Sequence, residues 1–263
     1  MWVEYHRPRS SILVHTMGKV GSSTVARSLN RSSIDLPVYH THFLSQDGIN
    51  RVEARYRDDG LMVPAHIRRS QDLRWRVSKG ETGWLVVSLV RDPIARSVSD
   101  LFQNASTLWP ELVDDNGNVD PDLALEWISS RLASFDEETD YVCTWFDQEM
   151  QPVFNIDVFD TSFDHERGYT VCSSSVANLL LLRLEDLNSV FQPAMRTLLP
   201  DQPEVEMVRA NVRSDKTGPR TTYQTVKDEM SLPLSTVERI YDSRFVRHFY
   251  TASMVDTFID RWT

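Results

Sequence analysis

The sequence predicts an α/β protein whose mainly parallel sheet is covered by helices on both faces. Two observations predict it. Short apolar, β-branched-rich runs alternate with helical patterns, and the connections between them are short. Two of the apolar runs, ending near Thr16 and Val90, pass straight into marked helix starts, the strand-into-helix step of a parallel sheet.

Taken in order, residues 11–16 are the first strand, carried by Ile12-Leu13-Val14, and a helix follows over 22–30. Val38-Tyr39-His40-Thr41-His42-Phe43 alternates and has strand-forming composition, so 38–43 is the second strand. Helical segments over 48–59 and 65–79 lead to a third strand, Trp84-Leu85-Val86-Val87-Ser88-Leu89-Val90. The helix over 93–105 has Asp92 as N-cap and Pro93 at its first position. Its core face is Ile94, Val98, Leu101, Phe102 and Ala105. Trp109 to Pro121 is a loop marked by Asp114-Asp115-Asn116-Gly117-Asn118. Helices near 121–134 and 138–150, a strand near 176–184 and further helices complete the chain. There are no internal repeats.

At 263 residues the economical reading is a single domain over 1–263, with a helical insertion near 106–150 that shapes one side. Its Trp109, Trp127 and Trp145 read as core aromatics, with stacking on sugar rings as the other use. No transmembrane run and no cleavable leader are expected. Met1 opens the chain ten residues before the first strand, and Cys143 and Cys172 read as two reduced thiols, so the expected location is cytoplasmic. A net charge of −10 argues against nucleic acid as a partner. Residues 51–79 run against that average, with eight basic against four acidic residues, and read as a solvated helix face or, less economically, part of an acceptor groove.

The most informative segment is Ile12-Leu13-Val14-His15-Thr16-Met17-Gly18-Lys19-Val20-Gly21-Ser22-Ser23-Thr24. A strand feeding a helix through a short glycine-bearing loop holds an anionic group: the backbone N–H groups and the helix's positive end face it, and lysine adds a mobile charge. The spacing departs from an ATP/GTP loop, because Leu13 stands six residues before Lys19 and Val20 follows the lysine. Lys-x-Gly-[Ser/Thr]-[Ser/Thr] instead resembles the 5′-phosphosulfate loop of the sulfotransferases. Those enzymes are similar in fold to P-loop kinases and use 3′-phosphoadenosine 5′-phosphosulfate (PAPS).

A second motif has the matching order. Arg91-Asp92-Pro93 with Ser99 eight residues after the arginine resembles the 3′-phosphate motif of the same superfamily. Arginine's planar fork suits bidentate phosphate contacts. Between the two motifs, period-two geometry puts His40 and His42 on one face. A histidine is suited to remove a proton from a hydroxyl near neutral pH. The pair can also be structural, and a metal site would need further ligands that no nearby Cys/His cluster offers. The His-x-His strand resembles that of the uronyl/heparan 2-O-sulfotransferases; the likeness makes His42 the base with His40 beside it, and the spacing alone leaves the choice between them open.

The resemblance continues downstream. Leu182-Arg183-Leu184-Glu185-Asp186-Leu187 resembles the late sulfotransferase strand with its Glu-Asp-Leu helix start, a structural feature in which the carboxylates favour the helix N-terminus. Trp145-Phe146-Asp147-Gln148-Glu149-Met150, Asn155 to Phe159 and Phe163 to Tyr169 are similar to the sulfotransferase-like family of capsular polysaccharide synthesis proteins. The chain departs from cytosolic steroid and phenol sulfotransferases: it has Gly18-Lys19-Val20-Gly21 for their Pro-Lys-Ser-Gly loop. It has no clear copy of their Arg-Lys-Gly phosphate loop, and the nearest candidate is Arg213 to Arg220 with Lys216.

The resemblance implies a P-loop NTPase-like three-layer α/β/α fold. It implies PAPS as donor without a metal, and a carbohydrate or polysaccharide hydroxyl as acceptor. The donor residues would be Lys19, Gly21, Ser22, Ser23, Thr24, Arg91, Ser99 and Lys216, with His42, Lys19 and His40 at the chemistry. An ATP-using P-loop phosphotransferase and a catalytically silent nucleotide- or glycan-binding member are the alternatives.

Overall fold

A computed structural model describes residues 10–58, 60, 62–208 and 222–263. The chain divides into two compact units, one of residues 10–90 and 145–208 and one of 91–144 and 222–263.

The first unit holds the whole sheet. Its strands are β1 (Ile12–His15), β2 (Val38–Thr41), β3 (Trp84–Val90), β4 (Tyr169–Ser173) and β5 (Ala177–Arg183), in spatial order β2-β1-β3-β5-β4. All neighbours run parallel except β4, which pairs antiparallel with β5 in the register Tyr169↔Leu182. The α/β class with a mainly parallel sheet is therefore as the sequence predicts. The edge strand β4 is not: it is a short hairpin return whose mixed burial gives neither a continuous apolar run nor an alternation.

The helices here are α1 (Ser22–Arg31), α2 (Gln46–Asp58), α3 (Ala65–Ser78), the short α7 (Gln151–Phe154) and α8 (Leu187–Leu198). β1 is buried along its whole length, as is β3 at all but one position, because a parallel strand is covered on both faces. The chain steps from β1 sideways to β2, then crosses back over β1 to reach β3. The order of connections reverses between β1 and β3, and in open α/β sheets ligands bind outside the carboxyl ends of the strands at such a point.

The second unit contains α4 (Pro93–Leu108), α5 (Pro121–Ala133), the first residues of α6 (Tyr141–Glu149), α9 (Thr222–Glu229), α10 (Leu234–Tyr241), α11 (Arg244–Phe249) and α12 (Ala252–Trp262). On α4 the predicted stripe is buried at Ile94, Val98, Leu101 and Ala105, while Phe102 lies at its flank, half-buried and edge-on to Tyr223 at 5.4 Å between ring centroids. Asp92 caps the helix, accepting from the Ile94 N–H at 3.0 Å. The same carboxylate accepts from Tyr241 Oη at 2.9 Å and Trp262 Nε1 at 3.0 Å, so the cap also ties down α10 and α12. Burial pushes the Asp92 carboxyl above its ordinary value, against the pull of those donors and of the Arg91 charge.

Two predicted boundaries move for a visible reason. The second strand ends at Thr41, where the Thr41 hydroxyl donates to the Phe43 carbonyl at 3.0 Å and bonds Ser70 Oγ at 2.7 Å, closing a turn. His42 therefore rides on that turn instead of inside the strand. The helix expected from 48 starts at Gln46, because Ser45 supplies the cap: its carbonyl accepts from Ile49 and its Oγ from the Gly48 N–H at 2.9 Å.

Trp145 is 1% exposed and packs against His15 and Phe146, a core aromatic. Trp109 and Trp127 pack on each other, 4.3 Å between centroids. Cys143 and Cys172 are buried free thiols, and burial pushes the Cys143 thiol up to about 12. Among the described residues no helix is long and apolar enough to cross a membrane.

Candidate functional site

The loop from Thr16 to Gly21 leaves the carboxyl end of β1 and turns into α1. Two of its residues have left-handed backbone: Lys19 with φ 73° and Gly21 with φ 86°. For lysine this conformation costs about 1–2 kcal/mol, so the surrounding loop must hold it there. At Gly21 a Cβ would lie 2.6 Å from Leu184 Cδ1, the side chain just past β5. Glycine is thus favoured here for its φ, and a Cβ would also have to displace the Leu184 methyl.

Gly21 occupies the N-cap of α1, where serine, threonine or aspartate usually stands; among the described residues no side chain caps the helix, and its first turn contains no acidic residue. The first turn is instead Ser22-Ser23-Thr24, three hydroxyls beside the positive end of the helix dipole. Lys19 is half-buried at the loop's crest. At the root of the loop the Thr16 hydroxyl is fully buried and makes no hydrogen bond among the described residues. A glycine cradle, an uncapped helix end and an orphaned hydroxyl fit a phosphate or phosphosulfate group well.

The two histidines of the second predicted strand come to this loop. His42 Nδ1 lies 2.7 Å from the Thr16 carbonyl. A carbonyl only accepts, so Nδ1 carries the proton, and in the neutral ring the lone pair belongs to Nε2. His40 Nε2 lies 3.0 Å from Ser22 Oγ, in the first turn of α1. The two rings meet edge-on, 4.9 Å between centroids. Burial, then the positive charges of His42, His15 and His66, drives the His40 pKa down to about 4. His40 is consequently a neutral imidazole near neutral pH, with one ring N–H and one lone pair.

The sequence assigns His15 no role of its own, and the structure brings it to a partner. His15 is fully buried at the end of β1, its Nδ1 3.4 Å from the Thr41 carbonyl and its Nε2 3.6 Å from Glu149 Oε2, an ion-pair distance when the ring is protonated. Glu149 is itself 2% exposed. Burial alone would raise its carboxyl, but His15 and the N–H groups of Leu44 and Ser45 outweigh burial and hold it below the ordinary carboxylate value. Sequence reasoning missed this pair because 134 positions separate its members and no spacing links the two motifs they stand in.

Arg91 follows β3 directly and is half-buried, as is Ser99 on α4. Both belong to the second unit, where the Arg91 charge acts on Asp92. Lys216, with the 213–220 segment, lies outside the described residues. Asp186 forms an ion pair with the buried Arg183, which also donates to the His165 carbonyl at 3.2 Å. That pair fixes the end of β5, so Asp186 is structural as the sequence expects, but through Arg183: its side chain makes no cap at the start of α8 among the described residues. Among the described residues no group of three or more His, Cys, Asp or Glu is placed to hold a metal ion.

Residues 133–251 match the model of one family, NKWYS, described as "putative capsular polysaccharide synthesis protein". No curated protein and no solved structure matches the chain. The match takes in α6, β4, β5 and the Arg183–Asp186 pair, and stops short of the loop and the histidines on the N-terminal side.

Proposed function

We propose that this protein is a PAPS-dependent carbohydrate O-sulfotransferase with the P-loop NTPase-like three-layer fold of that superfamily. One observation carries the reading: the Thr16 carbonyl, at the root of the anion loop, fixes His42 in the tautomer whose Nε2 can accept a proton. A base and an anion-binding helix end then share one anchor, the arrangement that transfer of an anionic group to a hydroxyl requires.

In this reading Lys19 and the backbone over Gly21, Ser22, Ser23 and Thr24 hold the 5′-phosphosulfate. Arg91 and Ser99 hold the 3′-phosphate, on the strength of their motif, and Lys216 is assigned to the donor in the same way. When bound, the donor supplies an electrophilic sulfur and a nucleotide leaving group. His42 Nε2 takes the proton of the acceptor hydroxyl as that oxygen forms its bond to sulfur. Lys19 neutralises the charge left on the bridging oxygen as its bond to sulfur breaks. His40 bonds Ser22 through Nε2, and His42 is the proton acceptor. The loop lacks Walker spacing, which favours PAPS over an ATP-dependent phosphotransferase. The family description directs the acceptor to a capsular polysaccharide or its precursor. Cytoplasmic action on such a precursor agrees with Cys143 and Cys172 being free thiols.

The test is a donor-turnover assay across acidic and neutral polysaccharides, run with the wild type and His42→Ala. The reading expects sulfated product, a loss of about 100-fold or more in kcat for the variant, and unchanged binding of the desulfated nucleotide. A variant with wild-type kcat would contradict the base assignment. Phosphoryl transfer from ATP, or nucleotide binding with no turnover on any acceptor, would establish one of the alternatives instead.

A further inference from the structure

Glu149 lies at the buried junction of three segments that hold His42. Its Oε2 accepts the N–H groups of Leu44 at 2.7 Å and Ser45 at 2.8 Å, and its Oε1 accepts the Ser45 hydroxyl at 2.8 Å. These donors begin two residues after His42 and form the cap of α2. A Cβ on Gly48 would fall 2.0 Å from Glu149 Oε1, so the first turn of α2 is shaped around the carboxylate. From its other side Glu149 faces His15 Nε2, and His15 is the neighbour in sequence of Thr16, whose carbonyl accepts the hydrogen bond from His42 Nδ1–H.

Trp145 stands one turn earlier on α6 and reaches the same histidine. Its Nε1 donates to the His42 carbonyl at 3.3 Å, and its ring lies 4.9 Å from that of His15. The His42 carbonyl, the backbone two and three residues after it, and the residue beside its acceptor are thus held by two side chains of one helix. Ordinary helix capping of α2 would need one acceptor from Ser45. It would not need a buried carboxylate drawn from more than a hundred residues away, set against a buried histidine, with a glycine cleared for it.

We propose that Glu149 and Trp145 are positioning residues that hold His42 in its Nδ1-protonated tautomer with Nε2 directed to the acceptor. Neither touches the reacting atoms. The proposal rests on His42 being the base, but its claim about the His42 ring stands apart from any activity.

The experiment therefore reads the ring itself. Long-range proton–nitrogen NMR of the full chain, with imidazole nitrogens labelled, assigns the His42 tautomer; Glu149→Gln and Trp145→Phe are compared with the wild type, and His42→Ala identifies the signal. Trp145→Phe deletes the donor and keeps an aromatic ring at the position, so it supplies the answer if Glu149→Gln does not fold. The expected result is a single Nδ1–H tautomer in the wild type and a mixture in each folded variant. With it goes a loss of about tenfold or more in kcat, of the size a displaced catalytic group produces, while binding of 3′-phosphoadenosine 5′-phosphate stays within about twofold. If both folded variants keep the wild-type tautomer, the proposal is overturned whatever their activity. If the tautomers change as expected in a protein that sulfates nothing, the positioning stands and the functional reading falls.

Discussion

The chain makes the same strand-to-helix step twice, and the two junctions are finished in opposite ways. After β3, the start of α4 is closed: Asp92 caps it, Pro93 removes one unneeded N–H, and Tyr241 and Trp262 bury the capping carboxylate. After β1, the start of α1 is left open: Gly21 takes the N-cap, no described side chain caps it, and Lys19 is held in a left-handed conformation beside it. A helix end satisfied from within serves stability. A helix end left without a cap, with strain stored beside it, is organised for something from outside. The contrast teaches that the same local sequence logic can yield a helix start closed from within or one left open. The deciding signal is which polar groups the protein supplies for itself.

The largest effect should come from Lys19→Gly. Glycine adopts φ 73° without strain, so stability should stay level or rise by up to about 1 kcal/mol in a thermal melt. Turnover should fall by about 100-fold or more, because the charge that meets the leaving group is gone. If the variant loses stability, the lysine is a structural residue and the open junction is no different from the closed one.

Asp92→Ala probes the other side of the contrast. It leaves the Ile94 N–H, the Tyr241 hydroxyl and the Trp262 indole N–H without their shared acceptor, at a cost of about 2–4 kcal/mol, read as a lower Tm and urea midpoint. Donor chemistry at Lys19 should be unaffected in whatever fraction remains folded. A loss under about 0.5 kcal/mol would show that the buried cap contributes little.

The smallest effect is a pH dependence. His40 has a folded-state pKa near 4 against an ordinary value near 6.5, so between those pH values the unfolded chain binds more protons than the folded one. Stability should therefore rise with pH across that window and be lost on acidification, by at most about 3 kcal/mol before solvent screening reduces it. His40→Gln should flatten this limb of the Tm–pH curve between about pH 6.5 and pH 4. An unchanged curve would mean that the ring is not held neutral beside Ser22.

Local chemistry made both junctions readable in the sequence. Asp92-Pro93 announced a capped helix, and the Gly18-Lys19-Val20-Gly21 turn after an apolar run announced a glycine-bearing strand-to-helix loop. The continuous apolar runs of β1 and β3 follow from burial on both faces, and β5 shares that pattern. Long-range contacts were not readable. Glu149 looked like one more acidic residue on a helix and His15 like an isolated histidine; only the folded chain shows that they face each other under the His42 turn. β4 escaped because an edge strand of five residues pairs on one side and leaves no periodic mark. The turn at Thr41 escaped because a hydroxyl bonded to Ser70 and Phe43 ended a strand whose composition would have let it continue.

The claim that everything rests on is that the open end of α1 holds the charged end of a nucleotide donor. Titration calorimetry with 3′-phosphoadenosine 5′-phosphate, on the wild type and on Lys19→Ala, tests it most directly. The account predicts saturable binding to the wild type and a Kd raised about tenfold or more in the variant, the loss of one charge-assisted phosphate contact. Equal affinity for the two proteins, or no binding to either, would contradict it.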